Sequence, residues 1–235
     1  MKTLFKKMLS SLIKPFGYEL IRKDQQNDFY LYEYSSYDEY RDTQIFHNKR
    51  KIDTVFADEA TLNKISEVLN SKFDNEKILG ICHGSRNGFE QNFLNRCSQN
   101  IFSIGTDISE TAKDFENSVQ WDFHDVKKEW VNKYHFVYTN SLDQSWNPKK
   151  ALLTWFDQLK ENGLLIIEHT KYHSSEHASE MDPFGVKPTV MPYVLTKWFG
   201  SQISIEHIKV KKDNMNVDAW LFFVSKNKKN VIELL

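Results

Sequence analysis

From residue 58 onward the chain alternates between two periods. After Asp58, the apolar residues Leu62, Ile65, Val68 and Leu69 recur at helical spacing, and short apolar runs follow them. Five of these runs predict strands: 77–82 (KILGIC), 101–108 (IFSIGTDI), 118–123 (SVQWDF), 134–141 (YHFVYTNS) and 164–169 (LLIIEH). Most carry apolar residues on both faces. Strands buried from both sides with helices between them predict a parallel sheet covered on each face, a doubly wound α/β sandwich. The end of the chain differs. Beyond a helix around 190–199, the segments 204–212 (SIEHIKVKK) and 219–227 (AWLFFVSKN) are joined only by DNMNVD, which leaves no room for a crossover helix. These two are expected to pair antiparallel.

Upstream of residue 58 the pattern changes. Residues 24–50 are rich in charge and tyrosine, with Tyr30, Tyr32, Tyr34, Tyr37 and Tyr40 close together, and Ser36 with Glu39 forms a capping box that opens a helix. The tyrosines suit either the lining of a substrate cleft or packing against the main domain. At the start, Leu4, Phe5, Met8, Leu9, Leu12 and Ile13 share one helical stripe, with Lys2, Lys6 and Lys7 toward the other side. Such a helix can dock on the protein's own core or lie on an anionic membrane surface, so residues 1–20 are a candidate peripheral membrane contact. Lys14 and Pro15 interrupt the stripe and no A-x-A-like cleavage site follows, so the segment reads as part of the mature chain. No Gly/Ser linker or internal repeat divides the rest. The organisation expected is an N-terminal helical extension over 1–57 and one catalytic-size domain over 58–235.

Composition narrows the partners. With 235 residues, 40% of them hydrophobic, the chain can bury a full core. A formal net charge of -1 gives no broad basic footprint, so nucleic acid is not expected. The two cysteines, Cys82 and Cys97, form no CxxC pair, which fits a reducing compartment and gives no thiol ligand set. No window reaches the roughly 18 consecutive apolar residues of a spanning helix. The expected location is cytoplasmic, with residues 1–20 allowing a peripheral position at the inner membrane surface.

The chemistry gathers at ILGICHGSRNGFEQNFL, residues 78–94, where a strand enters a turn bearing Gly84 and Gly88 before a helix. Such a turn lets the backbone approach a ligand, and the amides at the helix start favour a carboxylate or a phosphate. The glycines at 80, 84 and 88 do not make the dinucleotide fingerprint, and no Gly-Lys-Ser/Thr follows. In the next strand GTDIS carries Asp107, roughly twenty residues on, where an acid can accept from ribose hydroxyls. Asp107 or Ser109 is equally able to cap the next helix. Asp122 in QWDFHD ends the third strand.

In order and spacing, the runs ILGICHGSRNG, GTDIS, QWDFHD, FVYTNSLDQ and LKENGLLIIEH resemble the successive motifs of class I S-adenosylmethionine-dependent methyltransferases, over roughly residues 60–227 including the closing hairpin. The resemblance implies a Rossmann-like methyltransferase fold: a mostly parallel seven-stranded sheet with a C-terminal antiparallel hairpin. It implies S-adenosyl-L-methionine as cofactor, with the turn at Gly84 against the methionine moiety, Asp107 at the ribose, Asp122 at the adenine amine and Phe123 flanking the ring. The full set carried over by position is Cys82, His83, Gly84, Arg86, Gly88, Asp107, Ile108, Asp122, Phe123 and Asn140. The chain departs from the family at Gly80, where an acid is usual, and at Cys82, where a glycine is usual. Arg86 and Asn87 lengthen the turn, and Arg86 either pairs with the methionine carboxylate or stays solvated.

Methyl transfer is an in-line displacement in which positioning supplies most of the catalysis, and a base matters mainly for hydroxyl acceptors. The fourth-strand motif TNSLDQ lacks the Asn/Asp-Pro-Pro-aromatic tetrad of enzymes that methylate nucleobase amines. His124, Asp143, Glu168 and His169 fall at strand ends, and His169 and Asp143 are the candidate bases. His169, His173 and His177 recur every four residues near Glu168 and Asp182, but they lie in a loop-like segment that matches no ligand template, so no metal is expected. The insert 170–193 suits an acceptor-side lid. The expected function is methylation at oxygen of a small molecule or of a glycan or lipid-linked saccharide precursor. The alternative is an inactive methyltransferase-like binding or regulatory subunit, suggested by Gly80 and Cys82. A nucleotide-dependent enzyme of another Rossmann class is disfavoured by the missing fingerprint.

Overall fold

The structure is a computed structural model that describes Pro15 and residues 28–74 and 76–227. The amphipathic stripe in residues 1–20, and the membrane contact assigned to it, fall outside the described residues. Five helices are described: α1 (Tyr37–Arg50), α2 (Glu59–Lys72), α3 (Phe89–Cys97), α4 (Pro148–Gln158) and α5 (Met191–Phe199). The strands are β1 (Tyr30–Leu31), β2 (Ile78–His83), β3 (Ile101–Asp107), β4 (Ser118–Gln120), β5 (Tyr134–Thr139), β6 (Leu159–His169), β7 (Phe184–Gly185), β8 (Ile203–Lys212) and β9 (Val217–Lys226). Seven of them form one sheet in the order β4-β3-β2-β5-β6-β9-β8. Strands β2 to β6 are parallel, while β9 runs antiparallel between β6 and β8. The mostly parallel sheet and the closing hairpin are those that the apolar pattern and the family resemblance predict.

Successive strand residues face opposite sides, so each strand feeds two cores. Ile81, Val137, Leu165, Ile167 and Phe222 pack with Trp155 and Leu152 of α4 and with α5. Cys82, Phe136, Ile166 and Leu221 pack with Leu62, Ile65 and Leu69 of α2 and Leu94 of α3. Each such aliphatic or aromatic side chain contributes about 1.5–3 kcal/mol when fully buried. Gly80 belongs to this packing, because a Cβ there would lie 2.0 Å from the Phe136 ring. Only glycine fits.

Three local expectations change. The connections on either side of β4 are single 3-10 turns, Glu110–Asp114 and Lys128–Trp130, rather than helices. Asn117 and Asn132, at φ 56° and 52°, turn the chain back into the strands. The strand expected over 118–123 ends at Gln120, and β6 begins at Leu159, five residues before the expected 164. The capping box is displaced as well. Ser36 Oγ accepts from the Glu39 amide at 3.1 Å, but the Glu39 carboxylate accepts from the Ser35 amide at 2.7 Å, one residue early.

Strand order reverses between β2 and β5, which opens a crevice at their carboxyl ends. Helix α1 lies across it. Its buried stripe is Tyr40, Gln44 and Asn48, polar positions four residues apart, so the helix shows no apolar periodicity. Hydrogen bonds hold it instead: Gln44 Nε2 donates to the Met181 carbonyl at 3.1 Å, and Asn48 Oδ1 accepts from Thr111 Oγ1 at 3.0 Å. Behind it, β1 pairs antiparallel with β7, Tyr30 opposite Gly185 and Leu31 opposite Phe184, tying this segment to the 170–193 insert.

Candidate active site

The turn after β2 is strongly coiled, with Gly84, Arg86 and Gly88 at φ 72°, 41° and 76°. Left-handed backbone suits the two glycines and strains the arginine. The amides of Gly84 and Ser85 both donate to the Thr106 carbonyl, at 2.9 and 3.0 Å, which fixes the turn to the end of β3. The Gly84 Cα itself is packed on Ser141, and a Cβ there would meet the Ser141 Cβ at 2.5 Å. Coiling aims the Arg86 amide at Asp107 Oδ2, 3.1 Å away. The Arg86 guanidinium lies 5.0 Å over the Phe56 ring and donates through Nη1 to the Thr54 carbonyl at 3.2 Å. Its Nε is buried without a partner among the described residues.

Asp107 ends β3 and also accepts from the Ser109 amide at 2.9 Å, while Ser109 itself caps the 3-10 turn. Burial pushes the Asp107 carboxyl up, and the two amides and Arg86 pull against it. At Asp122 the balance runs the other way. Its Oδ1 accepts from the amide and ring Nδ1 of His124 at 2.9 and 2.7 Å, and its Oδ2 accepts from the Tyr37 hydroxyl at 2.6 Å. Burial opposes ionisation, but these bonds outweigh it and hold the carboxyl below its usual range.

Two adjoining cavities share Lys51, Gly84, Arg86 and Gln144 in their walls. The smaller, of about 30 Å³, lies under α1 between Tyr40, Asn48, Asp107, Ile108 and Phe123. The larger, of about 150 Å³, is lined by Glu90, Asn140, Asp143, His173 and Asp182, with Val55, Phe56 and Tyr172 also in its wall. Its floor holds the Lys212–Glu168 ion pair, both residues buried, with Glu168 Oε2 accepting from Thr61 Oγ1 at 2.8 Å and the Tyr138 hydroxyl at 2.9 Å.

The expected site residues separate clearly. Gly84, Arg86, Asn140 and Asp143 line the larger cavity, and Gly84, Arg86, Asp107, Ile108 and Phe123 the smaller. Asp122 stands beside them with its carboxylate engaged. Cys82, His83 and Gly88 line neither. Cys82 points into the core between the sheet and α2–α3. His83 is held through Nδ1 by Thr106 Oγ1 and through Nε2 by Gln158 Oε1, both at 2.8 Å, and stacks on Trp155. Gly88 starts α3, and a Cβ there would meet the Gln91 side chain at 2.8 Å.

The two candidate bases differ as sharply. His169 follows Glu168 on β6, so it faces the other side of the sheet; its Nε2 donates to the Val186 carbonyl at 2.7 Å, and burial lowers its pKa to about 3. It is held away from the cavity. Asp143 is buried with Oδ1 unpartnered among the described residues, and desolvation pushes its carboxyl up to about 7. His173, which burial keeps neutral with a pKa of about 4, places Nε2 at 3.7 Å from Asp143 Oδ2. Asp182 is likewise pushed up to about 7, by burial and then by the charge of Asp143.

Sequence reasoning missed Glu90 and Lys51 in the larger cavity and gave Tyr37 and Asn48 no specific role. The only signals were an acid in the first turn after Gly88 and polar residues repeating every four in α1. Among the described residues no group of three or more His, Cys, Asp or Glu could hold a metal ion, and His177 packs on Tyr172. No described helix is long and apolar enough to cross a membrane.

No protein-family model matches the sequence, and no curated protein matches it. Solved structures do match the fold. A 1,6-didemethyltoxoflavin-N1-methyltransferase from Burkholderia thailandensis, with 1,6-didemethyltoxoflavin and S-adenosylhomocysteine bound, superposes at TM-score 0.63 and 11% identity, over 84% of this chain and 93% of that one. The magnesium protoporphyrin IX methyltransferase of Synechocystis PCC 6803, with bound SAM, gives 0.53 at 15% identity, over 83% and 100%. SpnF, a [4+2]-cyclase, gives 0.52 at 10% identity, over 70% and 80%. These three proteins carry different chemistry on one scaffold, so the likeness speaks for architecture. The chain has the Rossmann-like fold of the class I S-adenosylmethionine-dependent methyltransferases.

Proposed function

We propose that the protein is an S-adenosyl-L-methionine-dependent methyltransferase acting at a hydroxyl of a small molecule or saccharide precursor. The observation that carries this reading is the juxtaposition at the switch point: the Gly84 turn, Asp107 at the end of β3 and Phe123 beyond β4 border one crevice, with Asp122 next to Phe123 in the chain. The unpartnered Arg86 Nε and Asp143 Oδ1 fit a polar ligand beside that turn. When bound, the cofactor supplies an electrophilic methyl group on a sulfonium.

The chain's own residues then have distinct tasks. Asp107 accepts from the ribose hydroxyls, Arg86 pairs with the cofactor's carboxylate, and Asp122 receives the adenine amine once the Tyr37 hydroxyl gives way. Asp143 would take the proton of the acceptor hydroxyl. A carboxyl at about 7 is well matched to that task near neutral pH. His173 lies beside it, with Nε2 at 3.7 Å from Asp143 Oδ2, and the apolar rim of Val55, Phe56 and Tyr172 excludes water.

A second reading, a methyltransferase-like subunit without catalysis, is favoured by one feature: the Tyr37 hydroxyl already occupies Asp122 Oδ2. Calorimetric titration with S-adenosylmethionine and S-adenosylhomocysteine separates the two. Micromolar binding, weakened by about 1–3 kcal/mol in Asp107→Asn, supports the enzyme. No binding at millimolar concentration by the unsubstituted protein overturns it in favour of the subunit.

A further inference from the structure

The larger cavity holds an acid and a base that the protein leaves half-used. Glu90 stands in the first turn of α3, buried, with Oε1 accepting from Asn140 Nδ2 at 3.3 Å and Oε2 without a partner among the described residues. Arg86, four residues earlier on the turn, lines the same cavity with its own buried Nε unpartnered. Buried polar atoms are nearly always satisfied, so two complementary side chains that line one cavity, each with a buried atom unpartnered among the described residues, suit a ligand that carries both an ammonium and a carboxylate. We propose that Glu90 holds the α-ammonium of the cofactor's amino-acid end, with Arg86 at its carboxylate, and so sets the preference for ligands that carry that end. This rests on the cofactor reading given above.

The position follows from packing. The strand cannot carry an acid at residue 80, because the Phe136 ring fills the space that its Cβ would need. An acid for the same cavity has to come from another element. Helix α3 starts at the mouth of the turn, and the side chain of its second residue reaches the cavity wall. Burial pushes the Glu90 carboxyl up to about 7, with the charge of Glu168 adding to it and Arg86 and Asn140 opposing. A bound ammonium adds counter-charge directly at that carboxylate.

The test is calorimetric titration with three neutral-sulfur nucleosides. S-adenosylhomocysteine carries both groups, 5′-S-(3-aminopropyl)-5′-thioadenosine keeps the amine and lacks the carboxylate, and 5′-methylthioadenosine lacks both. In the unsubstituted protein the aminopropyl compound should bind about tenfold tighter than methylthioadenosine. In Glu90→Gln that advantage should vanish and S-adenosylhomocysteine should weaken about tenfold, while methylthioadenosine binds as before. Equal affinity of the two truncated nucleosides for the unsubstituted protein overturns the assignment without recourse to a variant, as does an unchanged S-adenosylhomocysteine affinity in Glu90→Gln. Failure of all three to bind strikes the cofactor reading itself, which keeps the two failures apart.

Discussion

The two halves of the crevice solve opposite problems. Around the larger cavity, acids are buried and under-partnered: Asp143 and Glu90 each leave an oxygen without a hydrogen bond among the described residues, and each is pushed up to about 7. Under α1 the acids are satisfied, buried Asp107 by two backbone amides and half-buried Asp122 by His124 and Tyr37. An unsatisfied buried group costs about 1–3 kcal/mol, whereas a satisfied one costs little until its partner is displaced. On the proposed reading, the first half therefore relaxes when a ligand arrives. The second is closed by the protein's own side chains, and a ligand has to compete with them. Binding at the turn and opening of α1 become separable steps, which is how a site can hold one end of a long ligand before the other.

The largest effect belongs to Asp143. Replacing it with asparagine keeps its volume and removes the base, and turnover should fall by about 10²–10⁴-fold with little change in cofactor affinity. The pH profile gives the sign. The carboxyl works only when ionised, so turnover should rise with pH through about 7 in the unsubstituted protein and stay low and flat in Asp143→Asn. Stability should run the other way. Because its pKa is raised from 3.8 to about 7, folded Asp143 binds its proton more tightly than the unfolded chain does, so stability falls as pH climbs across that window. Asp182 acts in the same direction. A turnover profile that does not move on substitution would remove Asp143 from the reaction.

Gly84 belongs to both cavities, so a change there should erase the contrast between them. In Gly84→Ala the new methyl meets Ser141 Cβ at 2.5 Å, on a backbone with φ 72°. Left-handed strain of about 1–2 kcal/mol and overpacking of about 1–3 kcal/mol act together. Denaturant unfolding should show a loss of about 2–5 kcal/mol, and the turn should no longer present the Arg86 amide to Asp107. Wild-type stability in this variant would mean that the loop relaxes freely and does not define the site.

This division was only partly legible in the sequence. The sheet and its hairpin were, because apolar runs on both faces and the short DNMNVD link leave little choice of partner. Gly84, Arg86, Asp107 and Phe123 were reached through the order of the motifs. Cys82, His83 and His169 were not separable from them, since strand alternation decides which side each faces and neighbouring letters in a motif look alike. Glu90 carried almost no signal, as an acid in the first turn of a helix is commonplace. Helix α1 was found from its cap, yet its role over the crevice was hidden because Gln44 and Asn48 bind by hydrogen bonds and Tyr40 by ring contacts, and they make no apolar stripe. Sequence patterns report burial of apolar area; they report poorly on polar residues whose partners are far away along the chain.

The smallest effect, and the one that most directly probes the closed half, is at Tyr37. Its hydroxyl donates to Asp122 Oδ2 at 2.6 Å while its ring is 41% exposed, so Tyr37→Phe removes one hydrogen bond and almost no packing. A hydrogen bond to a carboxylate is worth about 1.5–3 kcal/mol when fully buried and less at an exposed edge. If a ligand's adenine amine takes the place of that hydroxyl, the variant no longer has to break the bond first. Its affinity for S-adenosylhomocysteine should rise by about threefold to tenfold, mostly through faster association, while the binding of ligands that stop at the amino-acid end is unchanged. Weaker binding in Tyr37→Phe would mean that the hydroxyl contacts the ligand itself, and α1 would then belong to the bound state as a wall of the site.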